Sequence, residues 1–350
     1  MKTPLKVTLN QHTPLIHFQH DQYGATLRAS EVKPKLDRFI LTKLGGGDYE
    51  AGINVAKGKG WLIGKGTHPA LDYKIQVRTE EKDEISLSLQ NKINGERKHT
   101  TEDFPLLLAN MGGRDSEEEL VNFSMYKTVC LEIFSLKDDL RNRIKDYIPS
   151  FFAKTNFGQR SNKGFGSFTV ASIGDDKIKD ATCYIPENTL YMDFTLCGNK
   201  YTMQGQKCLF KIIDSFWKKL RKEINDDRSV KCVDIASTES YIKAMKVIPA
   251  DDNIERIPAP IMFKPISNER GKRFSVYIMF DEEMLGKLKR QYAGRTSLNT
   301  SHTLNASSIT TFSYIDDFIS ELIDPKYDNW RVSMENREYV NVDFYELNVE

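Results

Sequence analysis

Between Lys154 and Thr169 the chain carries three basic residues, Lys154, Arg160 and Lys163, and no acidic one, within and just before the run FGQRSNKGFGSF of residues 157–168. Gly158, Gly164 and Gly166 permit positive φ and let another backbone come close. Exposed amides, two cations and a ring at Phe157 or Phe165 are together the ingredients for gripping a phosphodiester chain. The run is not a nucleotide-enzyme phosphate loop. GxxxxGK[ST] needs a lysine straight after its last glycine, where Phe165 follows Gly164, and GxGxxG fails because Thr169 holds its final position. A glycine-rich turn with a solvated arginine and lysine is the plainer alternative for the same residues, with Phe165 packed in the core beneath it.

Further basic groups flank the loop in sequence. Arg28, Lys33 and Lys35 open the first predicted helix, and Lys57, Lys59 and Lys65 interleave with glycines around Trp61, a possible stacking surface. The stretch from Lys207 to Glu223 holds Lys207, Lys211, Lys218, Lys219, Arg221 and Lys222 against Asp214 and Glu223. For each set an ordinary solvated face is an equal alternative. His17 and His20 lack further partners at ligand spacing, so no metal site is expected. The cysteines, Cys130, Cys183, Cys197, Cys208 and Cys232, include no CxxC pair and read as reduced, half-buried thiols.

Residues 157–168 resemble the G-rich loop of the RAMP superfamily of CRISPR-associated proteins, in which a helix runs into G-x-R-x-[RK]-G-F-G-S and a strand. Here the loop is one residue longer between Arg160 and Gly164. Thr13-Pro14-Leu15 with Gly24-Ala25-Thr26-Leu27-Arg28, and Ile257 to Pro265 with the strand Phe274 to Phe280, are similar to the opening and closing segments of the same proteins. A departure is Ala29-Ser30-Glu31, where aromatic residues are common. Within the superfamily the likeness is greatest to the first-numbered RAMP subunits of the type III-B Cmr effector complex.

That resemblance implies an α+β chain of two ferredoxin-like (RRM-like) domains with antiparallel sheets, residues 1–175 carrying the loop and residues 176–350 following. It implies a non-catalytic RNA-binding subunit in antiviral defence, which holds guide RNA and target RNA near the 3′ end of the guide and touches other RAMP subunits. The RNA-contacting set it suggests is Arg28, Lys33, Lys35, Lys154, Gly158, Arg160, Lys163, Gly164, Phe165 and Gly166, with no cofactor. The rival is a metal-independent RAMP endoribonuclease. His12, His17 and His20 would then supply general acid or base, and Lys33 or Lys35 would stabilise a pentavalent phosphate on the way to a 2′,3′-cyclic product. Against it, the glycine-rich loop of those enzymes lies near the C-terminus, whereas here more than half the chain follows it.

The elements that must position these groups read as follows. Leu5, Val7 and Leu9 alternate as a first strand. A helix over residues 25–44 should break or restart at Pro34, and the glycines of residues 45–70 suggest a mobile or ligand-ordered loop. Ile75 and Val77, then Ile85 to Leu89, predict two strands joined as a hairpin through the acidic Glu80 to Glu84, with a polar linker over 91–103. A strand over 127–135 leads to a helix from Lys137 that Pro149 interrupts. Strands are predicted at 182–185, 190–196 and 274–280, an apolar run spans Ala259 to Phe263, and helices are predicted at about 205–224, 281–292 and 314–323.

The 350 residues, 39% hydrophobic and 11% aromatic, are enough for roughly two folded domains and exclude global disorder. Fifty basic against 49 acidic residues leave a formal charge of +1, so a basic surface must arise by local segregation. The first residues lack the apolar core of a signal peptide, and no run approaches the ~18–20 apolar residues that span a bilayer. A soluble, cytoplasmic chain with no membrane partner is expected.

Overall fold

The fold is that of a computed structural model, which describes residues 3–16, 26–64, 69–79, 84–92, 118–187, 189–226, 261–280, 330–334 and 339–347. In chain order the elements are β1 (Leu5–Gln11), α1 (Ala29–Leu44), α2 (Tyr49–Gly58), β2 (Leu62–Ile63), β3 (Ala70–Leu71), β4 (Lys74–Thr79), β5 (Glu84–Lys92), β6 (Glu118–Tyr126) and β7 (Val129–Phe134). They continue as α3 (Asp138–Lys154), β8 (Phe168–Ile173), β9 (Asp176–Lys177), β10 (Leu190–Thr195), α4 (Met203–Asp226), β11 (Ile261–Ser267), β12 (Arg273–Phe280), β13 (Trp330–Ser333) and β14 (Tyr339–Glu346).

Two five-stranded sheets dominate, in the orders β4-β7-β1-β8-β9 and β11-β12-β10-β14-β13, with every pairing antiparallel. Taking β1, β4, β7 and β8 as first to fourth, the first sheet reads 4-1-3-2 with α1 after the first strand and α3 after the third. That is the ferredoxin-like β-α-β-β-α-β unit. The second sheet repeats the order with β10, β11, β12 and β14, and α4 follows its first strand. Each sheet adds a short edge strand by a hairpin: β9 follows β8, and β13 precedes β14.

Alternation in β1 and β7 buries Leu5, Val7, Leu9, Val129, Leu131 and Ile133 against Val32, Leu36 and Ile40 of α1 and Leu140, Ile144 and Ile148 of α3. The second core sets Leu209, Ile213 and Phe216 of α4 against Phe194, Phe263, Phe274 and Val276. Ile16, Met125 and Phe165 from the first half of the chain join this second core, so the two units share packing.

Several expectations change. α1 runs through Pro34 and α3 through Pro149 without a break. In α1 a proline forfeits one backbone donor, but the buried Val32, Leu36, Ile40 and Leu41 on both sides of it hold the helix by packing. The glycine-rich region contains α2, capped by the Asp48 carboxylate, which accepts from the Glu50 and Ala51 amides at 2.8 and 3.2 Å. A Cβ on Gly52 would lie 1.8 Å from the Leu41 carbonyl oxygen, so this glycine lets α2 seat against the end of α1.

The strands predicted as a hairpin do not pair with each other: β4 joins β7, and β5 pairs with β6. β5 also extends to Lys92, into the predicted linker. Thr182–Tyr184 form a 3₁₀ turn rather than a strand. The helices predicted at 281–292 and 314–323 lie outside the described residues. Among the described residues no helix is long and apolar enough to cross a membrane. The four described cysteines are free thiols, Cys208 buried and Cys183 exposed.

Candidate nucleic-acid interface

The glycine-rich run leaves α3 at Thr155 and is pinched at its base by a bridge between Asn156 and Ser167. The Phe157 amide donates to the Gly166 carbonyl at 3.0 Å, and the Gly166 and Gln159 amides donate to the carbonyls of Pro14 and Ile16, each at 2.8 Å. The loop therefore lies along residues 13–16, just beyond β1. Gly166 has φ +62°, and a Cβ there would come within 2.0 Å of the Phe157 carbonyl oxygen. Gly158 (φ +76°) similarly passes the Ile16 carbonyl, and its amide donates to the Glu31 carboxylate at 2.7 Å. Gly164 packs on Pro265 while its carbonyl accepts the Thr13 hydroxyl at 2.7 Å. The close approaches these glycines permit are to the chain's own backbone and side chains.

The cations differ in situation. Arg160 is half-buried at φ +54°, the only described non-glycine residue in the left-handed region, and burial lowers its pKa. Lys163 sits at the loop's far end with its ammonium 3.3 Å from the centre of the Trp217 ring. Burial, and then the neighbouring Lys43, lower the pKa of Lys154 at the end of α3. Arg28 is exposed at the entry to α1. Lys35 bonds Glu31 at 3.0 Å and the Asn156 carbonyl at 3.3 Å, so Glu31 ties α1 to the loop through both Lys35 and Gly158.

Three expectations are corrected. Phe165 is fully buried and stacks on Phe210 with ring centres 3.9 Å apart, out of reach of any base. Lys33 turns inward, donating to Asp37 at 2.8 Å and the Leu71 carbonyl at 2.9 Å over the Tyr73 ring. Trp61 is buried and donates to Asp139 at 2.7 Å, so it offers no stacking surface. Lys57 and Lys59 are exposed on and beyond α2, Lys207 and Lys211 are half-buried on α4, and Lys65 and the side chains of Lys218, Lys219, Arg221 and Lys222 lie outside the described residues.

Sequence reasoning missed the polar junction beneath the loop. Lys264 of β11 is fully buried and donates to the Thr155 carbonyl, the Asn156 side chain and the Phe168 carbonyl at 3.0, 3.1 and 2.9 Å. Three acceptors use all three protons of an ammonium, although burial lowers its pKa well below the usual lysine range. Lys200, also buried, donates to the Gln11 carbonyl at 3.1 Å and has its pKa lowered by burial to about 8. The one available signal was Lys264 inside the apolar run PIMFKPI, where a solvated strand would place a polar alternation.

His12 sits in the same junction. The Ser267 amide donates to its Nδ1 at 3.1 Å, so Nδ1 is an acceptor and Nε2 carries the proton, donating to the Thr169 hydroxyl at 2.8 Å. Burial, then Lys200 and Lys264, lower its pKa well below 6.5, which keeps the imidazole neutral. His17 and His20 lie outside the described residues.

A family model described as the Cmr1 N-terminal domain matches residues 2–224, and one described as the Cmr1 C-terminal domain matches residues 235–342. No curated protein matches. Among solved structures, the chain is similar to Cmr1 from Pyrococcus furiosus in its apo form at 12% identity, over 91% of this chain and 97% of that one, with a TM-score of 0.41. It is similar to a chain of the Type III-B Cmr-beta complex bound to cognate target RNA and AMPPnP, in the presence of ssDNA, at 10% identity over 81% and 97%, with a TM-score of 0.45. A chain of the same complex bound to cognate target RNA matches at 16% identity over 49% of this chain and 59% of that chain, with a TM-score of 0.29.

Proposed function

The chain belongs to the Cmr1 family, and we propose that it serves as a non-catalytic, RNA-binding subunit of a type III-B CRISPR effector in antiviral defence. It holds guide and target RNA near the 3′ end of the guide, beside other RAMP subunits in the cytoplasm, and protein contacts go to phosphate and ribose while base pairing selects sequence. The observation that carries this reading is the glycine-rich turn, which lies within the span of the N-terminal family match and holds Arg160 in a left-handed conformation. A non-glycine residue there costs roughly 1–2 kcal/mol, yet the position carries an arginine between glycines. Lys163, Lys154, Lys35 and Arg28 are the cations that accompany it.

The non-catalytic part of the reading is supported by His12. Both its ring nitrogens are engaged inside the protein and its pKa is depressed, so it is not placed to exchange protons with an RNA hydroxyl. The test is incubation of the purified chain with labelled repeat RNA in EDTA. The RNA is expected to survive intact, and to co-purify with the chain and partner subunits when these are expressed together. A cyclic-phosphate product that disappears in His17→Ala would establish cleavage instead.

A further inference from the structure

Among the described residues, the helices α1 and α3 cover one face of the first sheet, where Leu5, Val7, Leu9, Val129, Leu131 and Ile133 pack against them. The alternate residues point the other way. Strand register places Arg78, Cys130, Thr8, Ser172 and Lys177 in one continuous row across β4, β7, β1, β8 and β9. At ~4.8 Å between strands the row spans roughly 19 Å. The adjoining row is Gln76, Glu132 and Lys6, and the next is Lys74 and Phe134.

Lys6, Lys74, Arg78 and Lys177 are exposed, and Phe134 is 41% exposed. Glu132 is the sole carboxylate that the register places on this face, and it bonds Arg78 at 3.0 Å. Among the described residues the ammonium groups of Lys6, Lys74 and Lys177 have no carboxylate within ion-pair distance. Four cations against one anion leave +3 on a face of a chain whose total is +1. The corresponding face of the second sheet, built on the same strand order, differs: Tyr277 is buried there in a cluster with Ala153 and Ile185, Tyr191 contacts Tyr277 and Tyr345, and the guanidinium of Arg273 is neutralised by Asp193.

We propose that the open face of the first sheet is a second binding surface for single-stranded RNA, opposite the helices, where Lys6, Lys74, Arg78 and Lys177 track phosphates and Phe134 offers a ring to a base. A flat face with segregated cations and an exposed aromatic fits a flexible polyanion without sequence preference. The inference rests on the RNA-binding reading above, but it assigns RNA contact to residues outside the glycine-rich turn.

The test uses the full chain, a labelled oligouridine and salt titrations of the wild type, the quadruple variant Lys6→Ala, Lys74→Ala, Arg78→Ala, Lys177→Ala, and Glu132→Gln. The quadruple variant should weaken binding at least about tenfold at low salt and lower the salt slope by roughly 3, from about 0.7 per phosphate contact on a single strand. Glu132→Gln should tighten binding by about twofold to fivefold, a gain that misfolding cannot mimic. If the quadruple variant binds as the wild type does while Arg160→Ala with Lys163→Ala weakens binding, the face inference fails and the functional reading survives. Failure of the wild type to bind oligouridine at low salt would overturn both. Loss of partner subunits with RNA binding unchanged would make the face a protein contact and refute the inference.

Discussion

Phe165 shows how one side chain can join a binding loop to a distant core. It leaves the glycine-rich turn, stacks on Phe210 of α4 and lies in the second hydrophobic core, whereas Arg160 and Lys163 of the same turn are half-buried at its rim. Phe165→Ala should therefore cost about 3–5 kcal/mol of stability in urea denaturation, while Arg160→Ala changes it by about 0.5 kcal/mol or less. Equal losses in the two variants would mean that the arginine is a structural residue. Phe157 and Phe165 have the same spacing from glycine in sequence, and both proved to be buried. For Phe165 nothing local distinguishes a stacking ring from a packed one, because its partner Phe210 is remote in the chain, whereas Phe157 packs on the nearby Phe151, Phe152 and Phe168.

At the level of elements, β11 and the loop are joined by Lys264. Replacing it with methionine removes the ammonium and leaves the Thr155 and Phe168 carbonyls and the Asn156 side chain without that donor. At about 1–3 kcal/mol per unsatisfied buried group, Lys264→Met should lose roughly 3 kcal/mol or more. A loss under about 1 kcal/mol would show that the junction does not rely on it. Strands with clean alternation, such as β1, β7 and β12, were legible in the sequence, because period-two burial is a local signal. α2 was not, since Gly46 and Gly47 before it read as loop, although the Asp48 cap with Tyr49, Ile53 and Ala56 carried a helical spacing. The pairing of β4 with β7 rather than β5 was also hidden. Register between strands separated by fifty residues depends on which face the helices cover, which proximity along the chain does not reveal.

For the whole molecule, the two units share strand order 4-1-3-2 and a buried polar junction that includes His12, Lys200 and Lys264. The fold class was accessible from the loop's resemblance, but the junction was not, because the His12 to Ser267 contact joins residues 255 apart. Its consequence is a pH dependence. The folded pKa of His12 lies below 6.5, so between the folded value and 6.5 the unfolded chain binds more protons. Its contribution to stability is complete above pH 6.5 and falls as pH drops below it, by up to about 1.4 kcal/mol per pH unit. Lys200 has the same sign in a higher window: stability rises with pH between about 8 and 10.5. Thermal melts at pH 7 and 5.5 should show a larger drop for the wild type than for His12→Gln, and imidazole NMR at pH 6 should report a neutral ring protonated at Nε2. A His12 resonance that titrates near 6.5 would contradict the buried junction.

The claim that the glycine-rich turn grips RNA is tested most directly by the salt dependence of RNA binding in Arg160→Ala and Lys163→Ala. Each substitution should weaken binding across sequences and lower the slope of log affinity against log salt by about 0.7, the value for one phosphate contact on a single strand. Slopes and affinities indistinguishable from the wild type in both variants would contradict the account.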